Sequence, residues 1–298
     1  MSTFKKAILQ LHVFVFLAGL TGPLGYLIQL NGILLVFYRM LITSVVLWGI
    51  YMFRKNHSYP IKTKLQLLGV GAIIAMHWVC FYASIKLANI SIALVCFSST
   101  SLFSSILEPL AKKYKIQVQE IWIGLLSLVG ILFIFHFDTK FRTGIVVGLF
   151  SSLFAAIFSI INKRITNHVD VNTIQTYEMT GGVLFLLPCV IILSAMSHFN
   201  PILITPTPMD WVWLLVLAIL CTVISNHLML SALKHISAFT LNVTLNLEPV
   251  YGIILAFILF KEQKQLGLSF YIGIVLITLS VMIQMVRIVN QNKFKPLS

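Results

Sequence analysis

The chain has 298 residues, 59% of them hydrophobic and only 10% charged, with a formal net charge of +13. Soluble domains carry about 25% charged residues, so this composition excludes a water-soluble globular protein and points to an all-α polytopic membrane protein. A basic excess can signal nucleic acid. Here it sits almost entirely in short loops between apolar runs, so it reads as membrane topology, and nucleic acid is not an expected partner.

The chain opens with Met1-Ser2-Thr3-Phe4-Lys5-Lys6 and runs straight into apolar sequence. No small-residue cleavage site stands out, so the first helix is expected to be retained. A helix that crosses a bilayer needs about 20 mainly apolar residues. Ten such spans are predicted, at 7–29, 32–53, 65–86, 91–111, 118–137, 143–163, 172–194, 211–234, 238–260 and 267–287. The longest link, 195–210, contains Pro201, Pro206 and Pro208 and reads as irregular. Cys80, Cys96, Cys189 and Cys221 all lie within apolar runs and form no CxxC pair, so they read as small packing residues. Neither a metal site nor a cofactor is expected.

Of the 21 Lys and Arg residues, 15 fall on one side of these spans and 5 on the other, with Arg39 inside a span. The basic side faces the cytoplasm, so both termini are expected there, in the plasma membrane. The halves repeat weakly but in order. Trp122-Ile123-Gly124 in span five answers to Tyr271-Ile272-Gly273 in span ten, and Ile90-Ser91 answers to Ile236-Ser237. Five spans is an odd number, so the second copy enters the membrane from the opposite side. The expected fold is a 5+5 inverted repeat, 1–142 and 143–298, integrated into one transmembrane domain. That is an architecture of secondary transporters, with the site near the midplane.

Several motifs strengthen this. Glu248-Pro249, Phe260-Lys261-Glu262, Tyr271-Ile272-Gly273, Tyr38-Arg39 and Ala232-Leu233-Lys234-His235-Ile236-Ser237 stand in order along the chain. Together with ten spans in two halves they resemble the EamA-type permeases of the drug/metabolite transporter superfamily. The resemblance covers essentially the whole chain. It implies a central cavity lined by spans one, three, four, six, eight and nine, and export or exchange of small metabolites, often amino acids or their relatives. The Leu107-Glu108-Pro109 triplet of the first half departs from the commoner pattern.

Ionisable groups inside a membrane are expensive and so mark function. Glu248 lies roughly 16 Å into span nine, near the middle of a core about 30 Å thick. At 100° per residue, Thr244, Glu248 and Tyr251 share one face of that helix, and Asn242 and Asn246 fall on the opposite one. The asparagines serve either the site or helix–helix hydrogen bonding. His77 lies about 18 Å into span three and opens a cluster with Trp78 and Tyr82. It is either a proton-sharing partner of Glu248 or a packed histidine bonded to a backbone carbonyl. Asn226 and His227 in span eight are weaker candidates. Arg39 and Glu178 occupy similar places in the two halves with opposite charge, so they either pair or snorkel apart. Glu108 has Lys112 four residues on and reads as a helix-end pair. Gly22, Pro23 and Gly25 in span one and Pro249 in span nine are the expected hinges.

No HExxH, GxSxG or phosphate-binding glycine loop is present. A membrane enzyme acting on a lipid-linked substrate is therefore the alternative, and a secondary transporter the leading reading. The expected substrate is small, polar and amino-acid-like, with a proton as the candidate coupling ion. Drugs and phosphorylated sugars are alternative cargoes, the latter disfavoured because a buried phosphate wants several basic groups.

Overall fold

A computed structural model describes residues 3–53, 58–112, 118–137, 139–166, 168–196, 204–233 and 247–293. The described residues form helices joined by short links: α1 (Thr3–Gly19), α2 (Thr21–Leu27), α3 (Gly32–Met52), α4 (Ile61–Leu87), α5 (Ile90–Phe97), α6 (Thr100–Lys112) and α7 (Val118–Phe137). Then follow α8 (Arg142–Ile165), α9 (Val171–Met196), α10 (Pro208–Ala218), α11 (Ser225–Leu233), α12 (Glu248–Phe260) and α13 (Leu268–Lys293). Among the described residues, seven helical runs are long and apolar enough to cross a membrane, and three shorter apolar helices, Ile121–His136, Glu248–Phe260 and Leu268–Ser280, accompany them.

Helix starts follow local chemistry. Asn31 and Asn89 cap α3 and α5, their side chains accepting from Leu34 N (3.0 Å) and Ile92 N (2.8 Å). Asp170 does the same for α9 at Thr173 N (2.9 Å). Thr207 and Asp210 form a reciprocal capping box at α10, with Pro208 in its first turn.

Three expected spans are not single α-helices. The first is interrupted at Leu20, between α1 and α2, just ahead of Gly22-Pro23. The fourth breaks at Ser98 and Ser99, whose hydroxyls bond back to Val95 O and Cys96 O, both at 2.6 Å. The eighth widens to a π-helix over Ile219–Ile224, between α10 and α11. Pro249 stands in the first turn of α12, where its missing N–H breaks no bond within that helix; the part of span nine in which a kink was expected, before Leu247, lies outside the described residues.

α4 is the hub, packing against α3, α5, α8 and α9. At the α4–α9 crossing, a Cβ on Gly71 would strike the Glu178 carbonyl and the Gly182 backbone, so glycine sets how closely the two helices approach. The polarity of the fold is that of a membrane protein. Large apolar side chains such as Val45 (65% exposed) and Ile258 (68%) face outward, whereas Arg39 (3%) and Glu178 (4%) are buried.

Two buried carboxylates fasten distant parts of the chain. Lys261 adopts a left-handed conformation, φ 54°, at a cost of about 1–2 kcal/mol. The turn presents Glu262 to the start of α5, where its oxygens accept from Ile90 N (2.9 Å), Ser91 N (2.9 Å) and Ser91 Oγ (2.7 Å). A carboxylate at a helix N-terminus is favoured by both the free N–H groups and the helix dipole. Asp210 likewise accepts from Gln29 N (2.9 Å), at the end of α2.

Candidate functional site

Arg39 projects from the inner face of α3, where Thr43 and Ser44 are also buried. Its guanidinium lies 3.9 Å over the Trp78 ring. Nη1 donates to Tyr82 Oη at 2.6 Å, while Nε and Nη2 both donate to Thr222 Oγ1, at 3.0 and 2.9 Å. Nη2 also approaches Cys221 O at 3.4 Å. Trp78 and Tyr82 are four residues apart on α4, so one helical face supplies both the aromatic bed and the hydroxyl. A cation over indole is stabilised more strongly when desolvated, as here. Tyr82 is fully buried, and its ring fills the space a side chain at Gly25 would need. The expected hinge glycine is therefore also a packing requirement of the site.

The π-helix explains how Thr222 and Cys221 reach Arg39. Its wider turn puts Thr222 Oγ1 within 2.9 Å of Leu217 O, five residues back, to which it donates. Turns of this kind recur at functional sites. Neither Thr222 nor the widened turn is foreshadowed by the sequence, since Ile219-Leu220-Cys221-Thr222-Val223-Ile224 reads as ordinary apolar helix.

Glu248 opens α12 and is half-buried. Its helix packs on α1, α2 and α5. Tyr251, expected on the same face, instead packs edge-on against Phe16 of α1, ring centres 6.1 Å apart. Asn242 and Asn246 lie outside the described residues.

Among the described residues His77 makes no hydrogen bond to Arg39, Tyr82 or Thr222; it bonds to α8 instead. Its Nδ1 lies 2.9 Å from Ser151 O and 2.8 Å from Ser151 Oγ, and Ser151 Oγ donates to His77 O at 3.0 Å. With the Ser151 proton used in that bond, Nδ1 carries the ring proton and Nε2 is left as an acceptor. Phe97 and Phe158 flank the ring, each 5.6 Å away. This is the packed histidine bonded to a backbone carbonyl.

Arg39 and Glu178 do not share a hydrogen bond. Among the described residues Arg39 bonds only neutral groups, and the Glu178 carboxyl meets the Asn162 side chain. Oε1 of Glu178, Oδ1 of Asn162 and Nε2 of Gln175 are buried without a hydrogen-bond partner among the described residues, a costly arrangement. Of the Glu108–Lys112 pair, the Lys112 side chain lies outside the described residues. A cavity of about 200 Å³ opens beside Leu47, Ile50, Asn172, Gln175, Val223 and His227. The weak candidate His227 thus lines a cavity that begins one residue after Thr222.

A buried cation on an aromatic bed, bonded by helices from distant parts of the chain, suits a polar solute. Sequence comparison decides the family. The profile of the EamA-like transporter family matches residues 5–136 and again 142–286. The chain belongs to the EamA-like transporter family. It is a membrane transporter of the drug/metabolite type rather than an enzyme. It is similar to the Bacillus subtilis (strain 168) protein called uncharacterized transporter YetK, 23% identical over 255 residues, which is 80% of this chain and 76% of that one. One solved crystal structure superposes with a TM-score of 0.61 over 96% of this chain and 99% of its own, at 13% identity, a likeness of fold alone.

Proposed function

We propose that this EamA-family chain is a secondary transporter that exports or exchanges a small, polar, amino-acid-like metabolite by alternating access. It works as a 5+5 inverted repeat, 1–142 and 143–298, in the plasma membrane with both termini cytoplasmic. The double family match supports two repeats, and the Lys/Arg asymmetry supports the orientation. The carrying observation is the joint made by Arg39, Trp78 and Tyr82 from the first half with Thr222 from the second. Groups contributed by both halves are parted and rejoined when the halves rock.

Glu248 is the proposed coupling group. A carboxylate that binds proton and substrate in turn is sufficient for antiport. Proteoliposomes loaded with a mixed metabolite pool test the reading. Selective release of one amino-acid-like compound is expected, and release of none by folded protein would overturn it. Orientation is tested separately by a cysteine at Thr205, which is expected to react with an impermeant reagent from outside intact cells. Reaction only after permeabilisation would overturn the topology.

A further inference from the structure

Arg39 holds a full charge at 3% exposure. Arginine stays ionised in proteins, and a buried ion without an opposite charge against it is expensive. The ring of Trp78 and the oxygens of Tyr82, Thr222 and Cys221 compensate in part, yet among the described residues all its hydrogen bonds go to neutral groups.

The pattern of those bonds is specific. Nε and Nη2 form the side of a guanidinium that carboxylates engage with two oxygens. Here a single hydroxyl oxygen, Thr222 Oγ1, accepts from both, at 3.0 and 2.9 Å. It does so from the π turn Ile219–Ile224, a local widening whose return to α geometry would move Thr222 relative to α3.

A dianion would call for a second cation, and Trp78, Tyr82 and Thr222 supply none.

Resting on the transport reading above, we infer that the Nε/Nη2 side of Arg39 is the seat of the substrate carboxylate, with Thr222 its exchangeable competitor. The cargo then carries a free carboxylate and is neither a simple amine nor a phosphate ester.

The test uses full-length protein in proteoliposomes, with the twenty standard amino acids as probes and their carboxamides and decarboxylated amines as competitors. For whichever amino acid moves, the carboxamide and the amine are expected to compete at least about tenfold more weakly than the acid. Thr222→Val removes the competing hydroxyl and is expected to tighten the acid's apparent KM while leaving the amine's competition unchanged. Arg39→Lys is expected to keep a charge preference at a raised KM. Equal competition by acid and carboxamide in the unaltered protein overturns this inference alone, whatever the variants do. No movement of any amino acid overturns the substrate class proposed above and this seat with it.

Discussion

His77 and Trp78 are neighbours on α4, yet they belong to different parts of the molecule. A step of about 100° around the helix turns Trp78 toward α3 and the π turn, and His77 toward α8. On the His77 side the contacts of Nδ1 and of the backbone carbonyl close locally. Ser151 takes the ring nitrogen and returns a hydrogen bond to the His77 carbonyl, and phenylalanines seal the rest. On the Trp78 side a full charge rests on neutral oxygens supplied by α4 and by the π turn. The difference teaches that polarity in a membrane core does not by itself mark a site. What marks one is a polar group whose bonding is left incomplete, or is completed by groups on separately moving parts.

The comparison breaks most visibly at Arg39. Arg39→Leu strands the Tyr82 and Thr222 hydroxyls and removes the proposed seat. Flux in proteoliposomes is expected to fall by about a hundredfold or more, since removing one partner of a buried charged network costs roughly 3–5 kcal/mol. Monodispersity on size exclusion serves as the check on folding, and near-normal flux would place Arg39 among purely structural residues.

Next comes Glu248→Gln. The fold and part of the substrate binding are expected to persist, while the response of efflux to an imposed pH gradient disappears. Glu108→Gln is the matched control and is expected to keep that response. If Glu248→Gln responds like the unaltered protein, or the unaltered protein shows no response, the carrier is a facilitator and Glu248 only orients substrate.

Trp78→Phe sharpens the contrast. It keeps a ring beneath Arg39 but weakens the cation–π contact by about 0.5–1 kcal/mol, so KM is expected to rise several-fold with little change in thermal stability. The smallest effect on transport is expected on the other side of α4. Ser151→Ala removes a hydroxyl but leaves the Ser151 carbonyl to accept from His77, so stability falls by about 1 kcal/mol and flux stays within about twofold. A large loss of flux with intact stability would bring His77 into the transport path and dissolve the distinction between the two faces.

Much of this was written in the sequence. Apolar runs of membrane-crossing length placed the helices, because a backbone in lipid must satisfy its own hydrogen bonds and helices do so locally. The cost of burying charge singled out Arg39, Glu178 and Glu248 before any coordinates. The glycines and proline of span one announced its break, since their backbone limits are local properties. Tertiary structure alone decided the partners. Thr222 lies 183 residues from Arg39, and nothing near either residue encodes the other. The same holds for Glu262, which grips the start of α5 from 171 and 172 residues away. Periodicity gives the angle between His77 and Trp78, but not which neighbour each will meet. The π turn was hidden for the same reason: its geometry follows from contacts of Thr222 and Cys221 across the bundle, while its own six residues would fit an α-helix equally well. Local chemistry fixed where helices form and which groups are costly. Packing between distant helices fixed which of those costs are repaid within the fold and which are left for a passing solute.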